Sequence, residues 1–205
     1  MTNQWLGLIQ RLQAIAQNGL RYSKDPYDID RFQQLRSISA DMLAALAHAD
    51  ASVVRGLFDN YDGTATPKID VRAVVVRDGQ VLMVRQTSEG KWTLPGGWAD
   101  VGQSLSEAIT KEVREEAGYI VEPKRILAVH DRPRHNLPPI PEHVWKVFVQ
   151  ATIVAEAKPD ALETDAVGFF RVDGLPELSE GRVTKAQLAR MLELAADPNA
   201  PADFD

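Results

Sequence analysis

The chain has 205 residues, 44% of them hydrophobic, and carries 29 acidic against 23 basic side chains for a net charge of −6. That size and apolar content predict one medium domain plus a smaller one with a real core. The acidity excludes general attraction to nucleic acid, and the absence of cysteine excludes disulfides, thiol catalysis and cysteine zinc sites. No apolar run reaches transmembrane length and no basic, apolar leader opens the chain, which predicts a cytoplasmic protein without membrane contact.

Residues 1–60 read as helical and poor in strands. Over 2–18, Trp5, Leu8, Ile9, Leu12, Ile15 and Ala16 recur at helical spacing, and Gly19 is expected to end that helix. After Asp25-Pro26, a second helix is marked by Ile29, Phe32, Leu35, Ile38, Met42 and Leu46, and a short third covers 52–58. Six basic and six acidic residues cancel in this region, so the rest of the chain holds all the net charge. So thin a helical unit makes either a cap on its own neighbour or a dimerisation element, and a homodimer through these helices is expected. It has no helix-turn-helix pattern or basic stripe, so no DNA binding is expected. A linker is expected at 61–67, and a second domain at 68–205.

Beyond the linker the pattern is mixed. Strands are predicted at 69–77 and 81–84, joined by an Asp78-Gly79 hairpin, then at 125–130, 144–155 and 167–172, with a closing helix at 184–196. These elements imply a mixed sheet between helices, an α/β (α+β) class. Between the second and third predicted strands, Trp92-Thr-Leu-Pro-Gly-Gly-Trp98 ends a short extended run in a turn whose diglycine permits close backbone approach.

Residues 104–118 read as one helix with both ends marked. Ser104 and Glu107 form a capping box and Gly118 supplies the terminating left-handed residue. Leu105, Ala108, Ile109, Val113 and Ala117 make an apolar arc; Glu112 and Glu116 project from its middle and Glu115 from its border, with Arg114 on the opposite side. Acids facing a core repel one another and are costly unless compensated, and an ordinary surface helix would place them with Arg114. A divalent cation held by Glu112, Glu115 and Glu116, with the backbone carbonyl of Gly96 as a further hard oxygen ligand, fits better. All-oxygen coordination points to Mg²⁺ or Mn²⁺.

The spacing Gly97, Gln103, Lys111-Glu112-Val113, Glu115-Glu116, Gly118-Tyr119 resembles the signature of the Nudix hydrolases, with Gln103 in place of Glu and Lys111 in place of Arg. The resemblance extends from about Lys68 through the segment ending at Pro176. It implies a Nudix α/β/α sandwich preceded by a helical domain like that of members linked to CDP-choline and ADP-ribose pyrophosphatase activity. It further implies metal-dependent hydrolysis of the diphosphate in a nucleoside diphosphate joined to another group. Glu112, Glu115 and Glu116 fall on the metal positions, and Lys111 keeps the charge, without the planar fork, of an arginine that orients a catalytic carboxylate. The base is Glu115 or a loop acid, for which Glu163 and Glu142 are the candidates.

The loop 130–143 holds four prolines, three histidines, Arg132 and Arg134. The two arginines are candidate phosphate contacts, with Arg72 and Arg85 weaker ones; Trp98 and Tyr119 are candidates to stack on a base. Gln103 and Lys111 also keep open a catalytically weakened binding or sensing module, and trimming of an RNA end is a further alternative.

Overall fold

The computed structural model describes residues 2–59, 63–160 and 163–205; of the linker expected at 61–67, residues 61 and 62 lie outside the described residues. The chain divides into two compact units, Met1–Pro67 with Pro139–His143, and Lys68–Pro138 with Val144–Asp205.

The first unit holds α1 (Thr2–Tyr22), α2 (Pro26–Ala47) and α3 (Ala51–Asp59). Asp25 caps α2 by accepting from the Tyr27 and Asp28 N–H groups, with Pro26 in the first turn. Leu6, Ile9, Ala40, Leu43, Ala44, Val54 and Phe58 form the core of this unit. Gly19 does not end α1, which runs on to Tyr22. Its role is steric instead: a Cβ there would lie 2.3 Å from the Phe32 ring on α2, so glycine is what lets the two helices close. The Pro-rich loop is divided, for Gln10 Nε2 donates to the carbonyls of Ile140 and Pro141 within this unit.

The second unit is a mixed seven-stranded sheet of β1 (Lys68–Arg77), β2 (Gln80–Gln86), β3 (Trp92–Thr93), β4 (Tyr119–Asp131), β5 (Val144–Glu156), β6 (Thr164–Phe170) and β7 (Asp203–Phe204). The order is β3-β2-β1-β5-β4-β7, with β6 on β2. Asp78 (φ 52°) and Gly79 (φ 71°) turn β1 into β2, both in the left-handed region that this hairpin demands. Two helices cover opposite faces. Ala108 and Ile109 of α4 (Leu105–Glu112) pack on Val71, Ala73, Val75, Leu82 and Val84. Leu188, Met191 and Leu194 of α5 (Lys185–Ala196) pack on Val74, Met83, Leu127 and Phe148. Alternation along β1 thus feeds two cores, which makes the layer order α/β/α.

The helix expected over 104–118 is interrupted. After α4 the chain passes into a π-helical turn, Val113–Ala117, and Gly118 (φ 70°) ends it. Such a turn winds less tightly than an α-helix, so a helical wheel loses phase beyond Glu112. β4 begins earlier than expected and accommodates Pro123 at a register shift, and the strand expected at 167–172 begins at Thr164.

Parallel pairing of β1 with β5 places Asp70 opposite Lys146, and antiparallel pairing of β5 with β4 places Lys146 opposite His130. This row is buried, and Asp70 pairs with both Lys146 and Arg72. Burial, with the nearby Arg72 charge, pushes Lys146 down to about 8, against the pull of Asp70. His130 is pushed down to about 4, first by burial and then by the charge of His135, which stacks on it at 3.7 Å. Gln187 uses Oε1 to accept from Thr184 N–H, which turns its Nε2 toward His130 Nδ1 at 3.3 Å, a donation that requires a neutral imidazole. Because the folded pKa lies below the ordinary 6.5, unfolded chains take up the proton first as pH falls. The stabilisation is therefore complete above about pH 6.5 and lost as pH drops through 4. His130→Gln is expected to remove roughly 2–3 kcal/mol of the acid-side decline between pH 7 and 4 in urea melts. An unchanged slope would disprove this assignment.

Candidate active site

The first wall of the site is the Pro-Gly-Gly turn. Segment 95–99 lies along β1, where Val71 N–H donates to Gly97 O and Ala73 N–H to Pro95 O, each at 2.8 Å, and Ala99 N–H donates to Ile69 O at 3.0 Å. The Gly96 carbonyl, between the two accepting carbonyls, takes no part in this ladder, and the Gly96 N–H donates 2.8 Å to Glu116 Oε2. Gly96 has φ 139°, and a Cβ there would fall 2.0 Å from the Val71 carbonyl oxygen, so only glycine fits. A Cβ on Gly97 would come 3.3 Å from Glu112 Oε2, which brings the second glycine against the first of the three acids.

The second wall is the end of α4 and the π turn. A capping box, with Ser104 accepting from Glu107 N–H and the Glu107 carboxylate receiving Ser104 N–H, fixes where α4 starts and hence where its acids emerge. Between the walls lies a cleft of about 310 Å³ lined by Glu112, Glu115 and Glu116, with Asp100, Asp160 and Glu163 facing the same space. The cationic lining residue is Lys111, which pairs with Asp100 at 2.8 Å. Six carboxylates against Lys111 and the Arg114 guanidinium leave the cleft negative. Burial, followed by repulsion from Glu116, pushes Glu112 up to about 7, while Lys111 and Arg72 act in the opposite direction. Burial also raises Glu116, offset first by the Gly96 N–H and then by the Arg72 charge.

The three acids stand in different surroundings. Glu116 is buried and held at both oxygens, by Gly96 N–H and by Gln86 Nε2 at 3.2 Å. Glu115 pairs with Arg114 at 2.7 Å, and Arg114 also reaches Asp160 at 3.4 Å. The expectation that Arg114 stands apart from the acids is therefore corrected, because the π turn and the reach of the arginine bring it to Glu115. Among the described residues no three acidic or imidazole side chains are already gathered as a ligand set. The donor chemistry nevertheless suits a hard divalent cation: the carboxylates are crowded beyond what Lys111 and Arg114 neutralise, and a cation would recruit Glu115 from Arg114.

The other candidates separate. Trp98 lines the cleft, half exposed, with Lys68 Nζ 5.5 Å from its ring centroid. Arg72 does not reach the cleft as a phosphate contact; it is buried, donating to Asp70 and to the Leu94 carbonyl, and it acts on the glutamates through its charge. Arg132 is likewise buried, donating to the carbonyls of Pro138 and Gly181, and Arg134 pairs with Asp131 at 3.6 Å. Neither is among the residues lining the cleft. Arg85 pairs with Asp165, and Tyr119 packs edge-on against Phe169 beside the core. Of the two loop acids, Glu163 lines the cleft, while Glu142 belongs to the helical unit. Gln86, Asp160 and Thr164 were missed by sequence reasoning, since the β2–β6 pairing and the loop before β6 carry no local signal of the partner they meet.

Comparison with known proteins accords with this geometry. A family model described as the NUDIX domain matches residues 66–192, and one described as "UDP-X-like, N-terminal oligomerisation domain" matches 3–58. A protein of Bacillus subtilis (strain 168) named "Putative ADP-ribose pyrophosphatase YjhB" is 40% identical over 98% of this chain and 97% of its own length. A crystal structure described as UDP-X diphosphatase covers 100% of this chain and 99% of its own at 33% identity, with a TM-score of 0.65. That of an ADP-ribose pyrophosphatase from Streptococcus suis 89-1591 is 41% identical and covers 68% of this chain and 100% of its own, with a TM-score of 0.62. With its signature glutamates on one cleft, a NUDIX match over more than half its length and a full-length pyrophosphatase relative, this chain belongs to the Nudix hydrolases.

Proposed function

We propose that the chain hydrolyses the diphosphate of a nucleoside diphosphate joined to another group, of the ADP-ribose or CDP-choline type, with Mg²⁺ or Mn²⁺ held by Glu112, Glu115, Glu116 and the Gly96 carbonyl. The observation that carries the reading is the crowding of six carboxylates beyond what Lys111 and Arg114 neutralise, with Glu112 pushed up to about 7. Two relatives spanning nearly the whole chain, named for ADP-ribose and UDP-X, support the substrate class. The bound cation supplies charge neutralisation on the diphosphate and a lowered pKa for the attacking water. Water adds to one phosphorus, the bridging P–O bond breaks, and two phosphomonoesters leave. Glu115 or Glu163 takes the water proton, both lying on the cleft. Lys111 holds Asp100 at the rim, and Trp98 offers a half-exposed ring on which a base stacks. Incubation with either metal and ADP-ribose, CDP-choline, NADH, diadenosine polyphosphates or oxidised dGTP tests this. Release of two phosphomonoesters from a substrate of the proposed class is expected. No turnover of any of them would sink the enzyme reading, and tight binding without turnover would favour a sensor.

The helical unit is proposed to join two copies of the chain. Trp5, Leu8, Leu12, Ile15 and Tyr22 recur along α1 at intervals that suit a helix–helix seam, and Trp5, Leu8, Ile15 and Tyr22 are exposed. The match of residues 3–58 to an oligomerisation domain supports the same reading. Light scattering is expected to give a dimer for the parent and a monomer for Ile15→Glu; a parent monomer at micromolar concentration would refute it.

A further inference from the structure

Glu116 is held by three donors that all lie outside its own helix. Gly96 N–H and Gln86 Nε2 each take one carboxylate oxygen, and the Thr164 hydroxyl donates 2.8 Å to the main-chain carbonyl of Glu116 itself. That carbonyl sits in the last turn of the π segment, where helix carbonyls lack partners. Gln86 and Thr164 are both buried, and they are cross-strand partners in the β2–β6 ladder. The ladder shifts register between Arg85 and Gln86, a bulge of the kind that re-aims a side chain. Arg85 turns out to pair with Asp165, while Gln86 and Thr164 turn in toward the same glutamate. Val84, on the same face of β2, joins the aliphatic core with Val113 and Ala117. An amide two residues further on, at a buried position, is the exception along that face.

We infer that Gln86 and Thr164 are positioning residues that fix Glu116, side chain and backbone, for a divalent cation. The inference rests on the metal reading of the cleft. Two donors on two carboxylate oxygens restrict rotation of a side chain that would otherwise sample several rotamers, so the ligand is ordered before the cation arrives. Thr164 locks the turn that carries Glu116, so that a shift of β6 would move the carboxylate with it.

Mn²⁺ binding to the purified full chain without substrate, followed by the electron paramagnetic resonance of free Mn²⁺, separates this role from a merely structural one. Gln86→Leu is expected to weaken Mn²⁺ affinity roughly 10-fold. Its kcat/KM should fall at limiting Mn²⁺ and recover toward the parent value as Mn²⁺ saturates. Thr164→Val should shift affinity in the same direction by a smaller factor, and it carries the test if Gln86→Leu fails to fold. In a Glu116→Gln background, Gln86→Leu should change Mn²⁺ affinity no further, because the pair acts as a unit. Lowered thermal stability with Mn²⁺ affinity equal to the parent in both variants would overturn the inference while leaving the metal reading intact. A parent chain that binds no Mn²⁺ would overturn both.

Discussion

Replacing Glu116 by glutamine is expected to lower kcat/KM by about 100- to 1,000-fold, the range seen when one preorganised electrostatic partner of a reaction is removed. The effect should be chemical rather than architectural. Glutamine keeps the shape, and its oxygen can still accept from Gly96 N–H, which lies 2.8 Å from Glu116 Oε2. Gln86 can turn its amide to meet the new one. Burial already raises the Glu116 carboxyl, so the neutral variant relieves a buried charge beside Glu112 and Glu163. Thermal stability is therefore expected to stay level or rise while turnover collapses. Activity within 10-fold of the parent, at saturating metal, would remove Glu116 from the site.

The second large effect lies in the fold, at Asp70. This carboxylate pairs with both Arg72 and Lys146, all three nearly inaccessible to water. Asp70→Asn leaves two buried cations without their shared counter-charge, and breaking one buried pair costs about 3–5 kcal/mol. The melting temperature should drop by roughly 10–15 °C. A second arm tests the cause: adding Lys146→Met removes one stranded charge with a side chain of similar length, and it should recover part of the loss. Arg72 also donates to the Leu94 carbonyl just before the Pro-Gly-Gly turn, so the single variant should loosen that wall and raise KM as well. A melting temperature within 2 °C of the parent would show that this row does not bear on stability.

The glutamate helix was legible because every signal for it is local. Ser104 and Glu107 announce its start, Gly118 its end, and the acids break an apolar arc that needs only the 3.6-residue period to see. The Asp78-Gly79 hairpin was legible for the same reason, as two residues in left-handed backbone conformation form the whole turn. The π turn was not, because its residues are as compatible with an α-helix as those before it. Local pattern is equally silent on register. That Asp70 meets Lys146 and then His130 depends on a parallel pairing between strands more than 70 residues apart. That Gln86 meets Thr164 and Glu116 depends on a bulge. The arginines illustrate the cost: Arg72 and Arg132 looked like phosphate contacts by type and place, yet both are buried and spend their donors on a carboxylate and on backbone carbonyls. Gly19 shows the converse, a residue with a common meaning at helix ends that here serves a close crossing of α1 and α2.

The carboxylate cleft is proposed to cleave a diphosphate with a divalent cation. The most direct measurement is the initial rate of AMP release from ADP-ribose by the metal-stripped chain as Mg²⁺ or Mn²⁺ is added back. No release is expected in chelator, the rate should saturate with metal, and saturation should need a higher metal concentration when Glu112 or Glu115 is changed to glutamine. A rate that is independent of added metal, or that saturates at the same concentration in those variants, would contradict it.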